Sequence, residues 1–130
     1  MLASCGDNPG AEAATDLSVS GSDRLAFQPA VFAVPAGEEV TLRLTAGETV
    51  DHDFVVEDAS NFGVAGEGEG GGYQGQAVAS GDLVVVHAEP GETATSTFLI
   101  EEPGTYVVYC SVPGHREAGM VATLTVGDGP

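Results

Sequence analysis

The chain has 130 residues, of which 20 are acidic and only 3 are basic, so its formal net charge is −17 at pH 7. This length is sufficient for one domain with its own hydrophobic core. A chain of this charge is repelled by nucleic acid and by anionic lipid, so neither is an expected partner. It contains no apolar run of about eighteen residues, so no transmembrane helix is predicted.

The first sixteen residues are expected to precede the folded domain. Leu2-Ala3-Ser4-Cys5, followed by Gly6, matches the end of a bacterial lipoprotein signal, in which the cysteine carries the lipid. The stretch from there to Asp16 is mostly Gly, Ala, Asp, Asn and Pro, which is typical of a flexible tether. The usual basic and apolar regions are missing upstream, so an accidental match is the alternative to lipidation of Cys5.

From Leu17 onward the pattern is one of short strands. The segment 40–44 alternates cleanly between apolar and polar residues, as a strand with one buried face does. The other predicted strands are Leu17–Ser20, Leu25–Phe27, Phe32–Val34, Val50–Glu57, Asp82–His87, Thr93–Ile100, Thr105–Tyr109 and Met120–Val126. Regular short strands without a helical period predict an all-β fold, an antiparallel Greek-key β-sandwich or barrel, over residues 17–128.

A glycine-rich segment interrupts this pattern between residues 61 and 80. It contains seven glycines from Gly63 to Gly75, and it is predicted to be a long inserted loop. A short helix or edge strand around Gln76-Ala77-Val78 is an option. Both an indifferent surface insertion and a partner-contacting loop are compatible with this composition.

Metal-binding residue types are concentrated near the C-terminus. Cys110, His115 and Met120 lie five residues apart, at the end of one predicted strand, in a Pro-Gly turn and at the start of the next strand. A further histidine, His52, shares a strand face with Phe54 and is therefore expected on the core side. One thiolate, two imidazoles and a thioether are the ligand set of a blue-copper electron-transfer site.

The segment 103–126 resembles the copper-binding end of a cupredoxin, of the plastocyanin/azurin superfamily. The Cys-x4-His-x4-Met loop and the upstream His-x-Phe are most similar to the auracyanin-type members. The resemblance covers about residues 27–57 and 82–126. It implies one mononuclear type 1 copper with His52, Cys110, His115 and Met120 as ligands, and the role of an electron carrier without substrate chemistry.

The resemblance also implies a route for electrons. In the superfamily, electrons usually enter and leave the copper site through the exposed edge of the histidine in the ligand loop, and an apolar patch surrounds this edge. On this chain the corresponding patch is Val112, Pro113, Gly114 and Ala118 around His115. Tyr106, which follows a Pro-Gly-Thr turn, is expected to make the structural hydrogen bond of a tyrosine corner.

Asp53 departs from the pattern of many relatives, which have Asn directly after the first histidine. A carboxylate has no donor of its own, but it can accept hydrogen bonds from Ser111 or from backbone amides. Its negative charge next to the metal would favour Cu(II) and lower the reduction potential. Asp53 and Ser111 are therefore the residues expected to flank the ligands.

Other uses of the candidate ligands remain open. A Cys5–Cys110 disulfide is the alternative for the two cysteines. Met120 could be a core residue, and His87 is the competing histidine because its strand could bring it close to the metal end. A role beside the ligands or at the surface is the main expectation for His87.

The function predicted is one-electron transfer between extracytoplasmic or periplasmic partners, by a monomer that touches a membrane only through its lipid anchor. The acidic surface favours solubility and a redox partner with a basic docking surface. The alternatives are a copper chaperone or buffer, whose sites favour Met-rich or His-rich tracts, and an electron-donor subunit of a copper enzyme. An enzyme in its own right is disfavoured, because paired His-x-His motifs are missing.

Overall fold

The computed structural model describes residues 14–66 and 79–127 and builds them from short β-strands. Ten strands occur in these two ranges: β1 (Asp16–Gly21), β2 (Phe27–Gln28), β3 (Val31–Pro35), β4 (Val40–Ala46), β5 (His52–Val56), β6 (Gly63–Ala65), β7 (Leu83–Ala88), β8 (Thr93–Ile100), β9 (Gly104–Tyr109) and β10 (Val121–Gly127). The described ranges contain no helix of the length and hydropathy needed to cross a membrane.

The strands form two five-stranded sheets that pack face to face. One sheet has the order β2-β1-β4-β8-β6 and the other has the order β3-β10-β9-β5-β7. The predicted all-β sandwich is confirmed, but the sheets are mixed, since β1 runs parallel to β4 and β3 runs parallel to β10. The alternation of apolar residues shows which face of a strand is buried, and it carries no information on the partner or its direction.

The core lies between the two sheets and is built by this alternation. In β4, for example, the buried side chains Val40, Leu42 and Leu44 alternate with more exposed ones. At its centre is the ring of Phe54, which is fully buried. Three other rings surround it at centroid distances of 5.6 to 6.2 Å, and they belong to Phe27, Phe32 and Phe98.

β6 lies inside the segment that the sequence predicted as loop. Val64 pairs with Leu99 of β8, so β6 forms an edge of its sheet. A Cβ added to Gly63 would lie 2.9 Å from the carbonyl oxygen of Leu99. At this position the glycine permits close approach of two backbones, and it does not break the strand. The option of an element at residues 76–78 lies outside the described residues.

The N-terminal boundary of the domain also differs slightly from the prediction. Asp16 already belongs to β1, where its carboxylate accepts a hydrogen bond from Arg43 at 2.5 Å. The Ala14 amide donates to the carbonyl of Ala33 on β3 at 2.9 Å. Residues 14–16, which the composition predicts to be part of the tether, are therefore joined to the sheets. Residues 1–13, with Cys5, lie outside the described residues.

The Tyr106 hydroxyl donates to the carbonyl oxygen of Glu102 at 2.6 Å. This bond closes the turn that leads into β9, and it confirms the predicted tyrosine-corner interaction. The turn thereby fixes the start of the strand that leads to Cys110.

Replacing the central ring should test the core. Phe54→Ala is expected to lower the free energy of unfolding of the metal-free protein by about 3–5 kcal/mol, because a buried aromatic side chain is lost and a cavity remains. Val121→Ala, at a position 43% exposed on the same sheet, should cost less than about 1 kcal/mol. Urea unfolding of the two variants measures the difference, and equal losses would contradict this description of the core.

Candidate metal centre

Four candidate ligands converge at one end of the sandwich. His52 is the first residue of β5, Cys110 directly follows β9, and Met120 directly precedes β10. His115 lies on the loop between β9 and β10. The side chains of His52, Cys110 and Met120 are fully buried, and His115 keeps 7% of its surface exposed. Three of the four come from one strand-loop-strand element, and the neighbouring strand supplies the fourth.

The distances between the donor atoms fit a single metal ion. The Cys110 sulfur lies 3.4 Å from Nδ1 of His115 and 3.8 Å from Nδ1 of His52. One ligand atom from each of these residues lies within 4.8 Å of the others, and the two imidazole rings are 5.1 Å apart between centroids. A thiolate and two imidazoles around one point form a trigonal donor set that suits copper.

Met120 is held next to this set by backbone hydrogen bonds. Its amide donates to the His115 carbonyl at 3.1 Å, and its carbonyl accepts from the Cys110 amide at 3.3 Å. The thioether is therefore tied to the segment that carries the other two loop ligands. Its burial alone is equally compatible with core packing, so its role as the axial ligand stays a prediction.

Two glycines shape the loop between Cys110 and Met120. Gly114 has φ of 85° and Gly119 has φ of 104°, which is the left-handed region that side chains rarely adopt. Each directly precedes a candidate ligand. The loop can therefore turn sharply enough to aim both His115 and Met120 at the place that Cys110 faces.

The orientation of His52 is set from the opposite sheet. Its Nε2 lies 2.9 Å from the carbonyl oxygen of Ser22, in the turn that follows β1. Because a carbonyl can only accept, Nε2 carries the proton and Nδ1 keeps its lone pair on the side of Cys110. Burial of the ring lowers the pKa of His52, which favours the neutral form that a metal ligand needs.

Cys110 is held as a thiol as long as no metal is bound. Burial raises its pKa to about 12, and the charge of Asp53 contributes in the same direction. The backbone amide of Asp53 points at the sulfur, at 3.4 Å, and is placed to donate to a thiolate. Metal binding must therefore displace the thiol proton, and a donor for the resulting charge is already in position.

Asp53 is fully buried and links β5 to the ligand loop. One of its carboxylate oxygens accepts from the Ser111 amide at 2.6 Å, and the other accepts from the Ser111 hydroxyl. The carboxylate thus braces the loop as an acceptor, using donors that Ser111 supplies.

His87 does not join the candidate ligands. On β7 it lies opposite Asp53, whereas His52 lies opposite Ala88, so the two histidines face opposite sides of the sheet. Its Nε2 is 3.2 Å from a carboxylate oxygen of Asp51. Among the residues described, the structure shows Cys110 as a free cysteine, and Cys5 lies outside them.

The loop around His115 provides the surface nearest to the metal site. Pro113, Gly114 and Ala118 are exposed, and Val112 is half-buried. Sequence reasoning missed Gly21 and Ser22, which touch His52 from β1 and from the turn after it. The predicted strand ends at Ser20, so Gly21 lies outside it, and no local signal points to its contact with His52.

The comparison with known families agrees with this geometry. The family model described as copper binding proteins, plastocyanin/azurin family, matches residues 13–127. The chain belongs to the plastocyanin/azurin family. This membership confirms the resemblance to the cupredoxins, and copper is the cofactor. His52, Cys110 and His115, with Met120, form a candidate type 1 copper site.

Individual relatives of the plastocyanin/azurin family cover most of the chain. A plastocyanin from Sambucus nigra is 33% identical over 112 residues, which are 85% of this chain and 98% of the relative. The copper-resistant cuproprotein CopI from Rubrivivax gelatinosus is 28% identical over 123 residues, 89% of this chain and 68% of the relative. The crystal structure of reduced auracyanin from Roseiflexus castenholzii matches with a TM-score of 0.68 and 25% identity, covering 89% of this chain and 99% of that one.

The raised pKa of Cys110 leads to a measurable proton release. With a pKa of about 12, the Cys110 thiol is in its protonated form between about pH 7 and 9. Each Cu(II) that binds in this range should therefore displace the thiol proton and release about one proton. The apparent affinity for Cu(II) should then rise about tenfold per pH unit over this range. Proton release into a weakly buffered indicator solution measures the effect. Cys110→Ser should abolish it, and equal release by both proteins would contradict the assignment.

Proposed function

We propose that this protein is a type 1 copper electron carrier, and that it cycles between Cu(II) and Cu(I) without substrate chemistry of its own. The observation that carries the proposal is the buried His52–Cys110–His115 cluster in a domain of the plastocyanin/azurin family. When bound, copper supplies a one-electron couple. The protein's own residues hold the donor set and keep water away from it.

The candidate ligands are held in place by hydrogen bonds to other groups of the protein. His52 is oriented by Ser22, the ligand loop is braced by Asp53, and backbone bonds hold Met120. A site whose donor atoms are held in this way changes little when the charge of the metal changes. Because the same donor set serves both oxidation states, the ligands rearrange little when the copper gains or loses an electron. A small rearrangement is what rapid electron transfer requires.

Electrons are proposed to enter and leave through the edge of His115. This is the candidate ligand with exposed surface, and the patch formed by Val112, Pro113, Gly114 and Ala118 surrounds it. These residues carry no charge, so a partner can approach closely without removing water from an ion.

The proposed partners are redox proteins that dock through a basic surface. The net charge of −17 supports this proposal, since it would attract such partners over a distance of about a Debye length. We further propose an extracytoplasmic or periplasmic location for a monomer, with lipid on Cys5 as its membrane anchor. The support for the anchor is the sequence motif around Cys5 alone.

Copper handling is the second candidate function, because one relative is named a copper-resistant cuproprotein. A protein of that role would exchange its metal readily with solution. Complete burial of His52, Cys110 and Met120 argues for retention of the metal instead. The two functions therefore predict different exchange behaviour with a chelator.

A visible spectrum of the protein with one equivalent of Cu(II), before and after ascorbate, tests the proposal. We expect an intense thiolate-to-copper band that bleaches on reduction and returns on oxidation. Cys110→Ser should lose the band, whereas the matched histidine control His87→Gln should keep it. A pale spectrum would contradict the electron-carrier function, and rapid loss of copper to a chelator would favour copper handling.

Asp53 is expected to tune the reduction potential. In Asp53→Asn the buried negative charge is lost, while the amide oxygen can still accept from the Ser111 amide. The potential should rise by an amount equal to about tenfold in the redox equilibrium, or ~1.4 kcal/mol, because Cu(II) loses a stabilising charge. Ser111→Ala, which removes a hydroxyl and no charge, is the control. A potential that does not rise in Asp53→Asn would contradict this role.

A further inference from the structure

We propose that Gly21, at the end of β1, is a positioning residue of the copper site. Because it has no side chain, the ring of His52 and the methyl group of Met120 can pack directly against its backbone. This inference rests on the proposed function, in that both side chains are taken as ligands. It assigns to the opposite sheet a direct influence on two of the four ligands.

The space at Gly21 is filled by the two candidate ligands. A Cβ built on this residue would lie 2.5 Å from Cδ2 of His52 and 2.8 Å from its Cγ. The same atom would lie 3.1 Å from the methyl carbon of Met120. Such distances are below ordinary van der Waals contact, so any side chain at position 21 would have to displace a ligand, or be displaced itself.

Position 21 has little freedom to move away. Gly21 pairs with Phe27 on one side and with Ala46 on the other, and its carbonyl accepts from the Gly47 amide at 2.9 Å. The His52 ring is likewise anchored, since Nε2 is bound to the carbonyl of the adjacent Ser22. Because the backbone at Gly21 and the ring of His52 are both held in place, a larger side chain at position 21 should change the position of the ligands.

Backbone conformation does not explain the presence of glycine here. Gly21 does not adopt a left-handed φ, so alanine fits the backbone at this position without strain. The requirement is therefore steric and arises from the two ligand side chains. Gly127, at the end of β10, also has ordinary backbone geometry, but a Cβ there would meet nothing within 4 Å. It provides a matched control.

The consequence for the site concerns the ligand geometry. In a type 1 site the weak axial ligand and its distance tune the potential. A residue that limits how far the Met120 methyl group and the His52 ring can move towards the opposite sheet thereby limits the range of geometries available to the metal.

Copper-loaded Gly21→Ala and Gly127→Ala are compared by spectrum and potential. Gly21→Ala should alter the ratio of the thiolate-to-copper bands, and it should shift the redox equilibrium by at least about threefold, near 28 mV for one electron. Gly127→Ala should match the wild type in both. A Gly21→Ala protein with the spectrum and potential of the control overturns the inference, and a wild type without an intense band overturns the proposed function instead.

The contact itself is tested without copper. In a double-mutant cycle on the metal-free protein, Gly21→Ala should be tolerated better in a His52→Ala background, because the imidazole no longer occupies the space. The expected coupling is at least about fivefold in the unfolding equilibrium constant. If Gly21→Ala alone does not fold, the double variant should fold. Equal losses in both backgrounds, or failure of the double variant to fold, overturn the inference.

Discussion

The pairing of β5 with β9 is the constraint on which the site depends. Val55 lies opposite Tyr109 and Val56 lies opposite Val108, so the start of β5 is brought beside the end of β9. His52 and Cys110 are 58 residues apart in the chain, yet their donor atoms lie 3.8 Å apart. Since side chains alternate along a strand, a shift of one residue in this pairing would turn His52 away from the core and separate the ligands.

Burial of the same cluster determines the protonation states that its side chains favour. Burial raises the pKa of the Cys110 thiol to about 12, and it lowers the pKa of His52, which favours the neutral ring. The surrounding groups are nevertheless arranged for a metal-bound thiolate, with the Asp53 amide directed at the sulfur. The negative charge of the Asp53 carboxylate raises the pKa of the Cys110 thiol and so disfavours the thiolate. The same carboxylate braces the loop by accepting hydrogen bonds from Ser111. One residue therefore stabilises the loop and raises the electrostatic cost of charge on the sulfur.

The sequence predicted most strands, and the structure brings together His52, Cys110 and His115, which the sequence singled out while it left His87 as a competitor. The strand signal was strong because buried and exposed residues alternate along β4, β8 and β10. It failed at β6, where Gly63 reads as a strand breaker although the close approach to Leu99 requires it. It also missed the parallel pairs, because local patterns do not specify which strands become neighbours. The roles of Gly21 and Ser22 depend on contacts with His52, and no local pattern reports them.

By itself, the sequence determined the class of fold and the chemical nature of the metal site. Alternation and turn residues are local properties, and the spacing of Cys110, His115 and Met120 places three donors on one loop. The tertiary structure decided which histidine completes the cluster, how its ring is oriented and what limits its position. His52 and His87 both lie on apolar strands, and only the register of β5 against its neighbours turns His52 towards Cys110 and His87 towards the other face. These features depend on atoms far apart in the chain, and packing of the two sheets brings those atoms together.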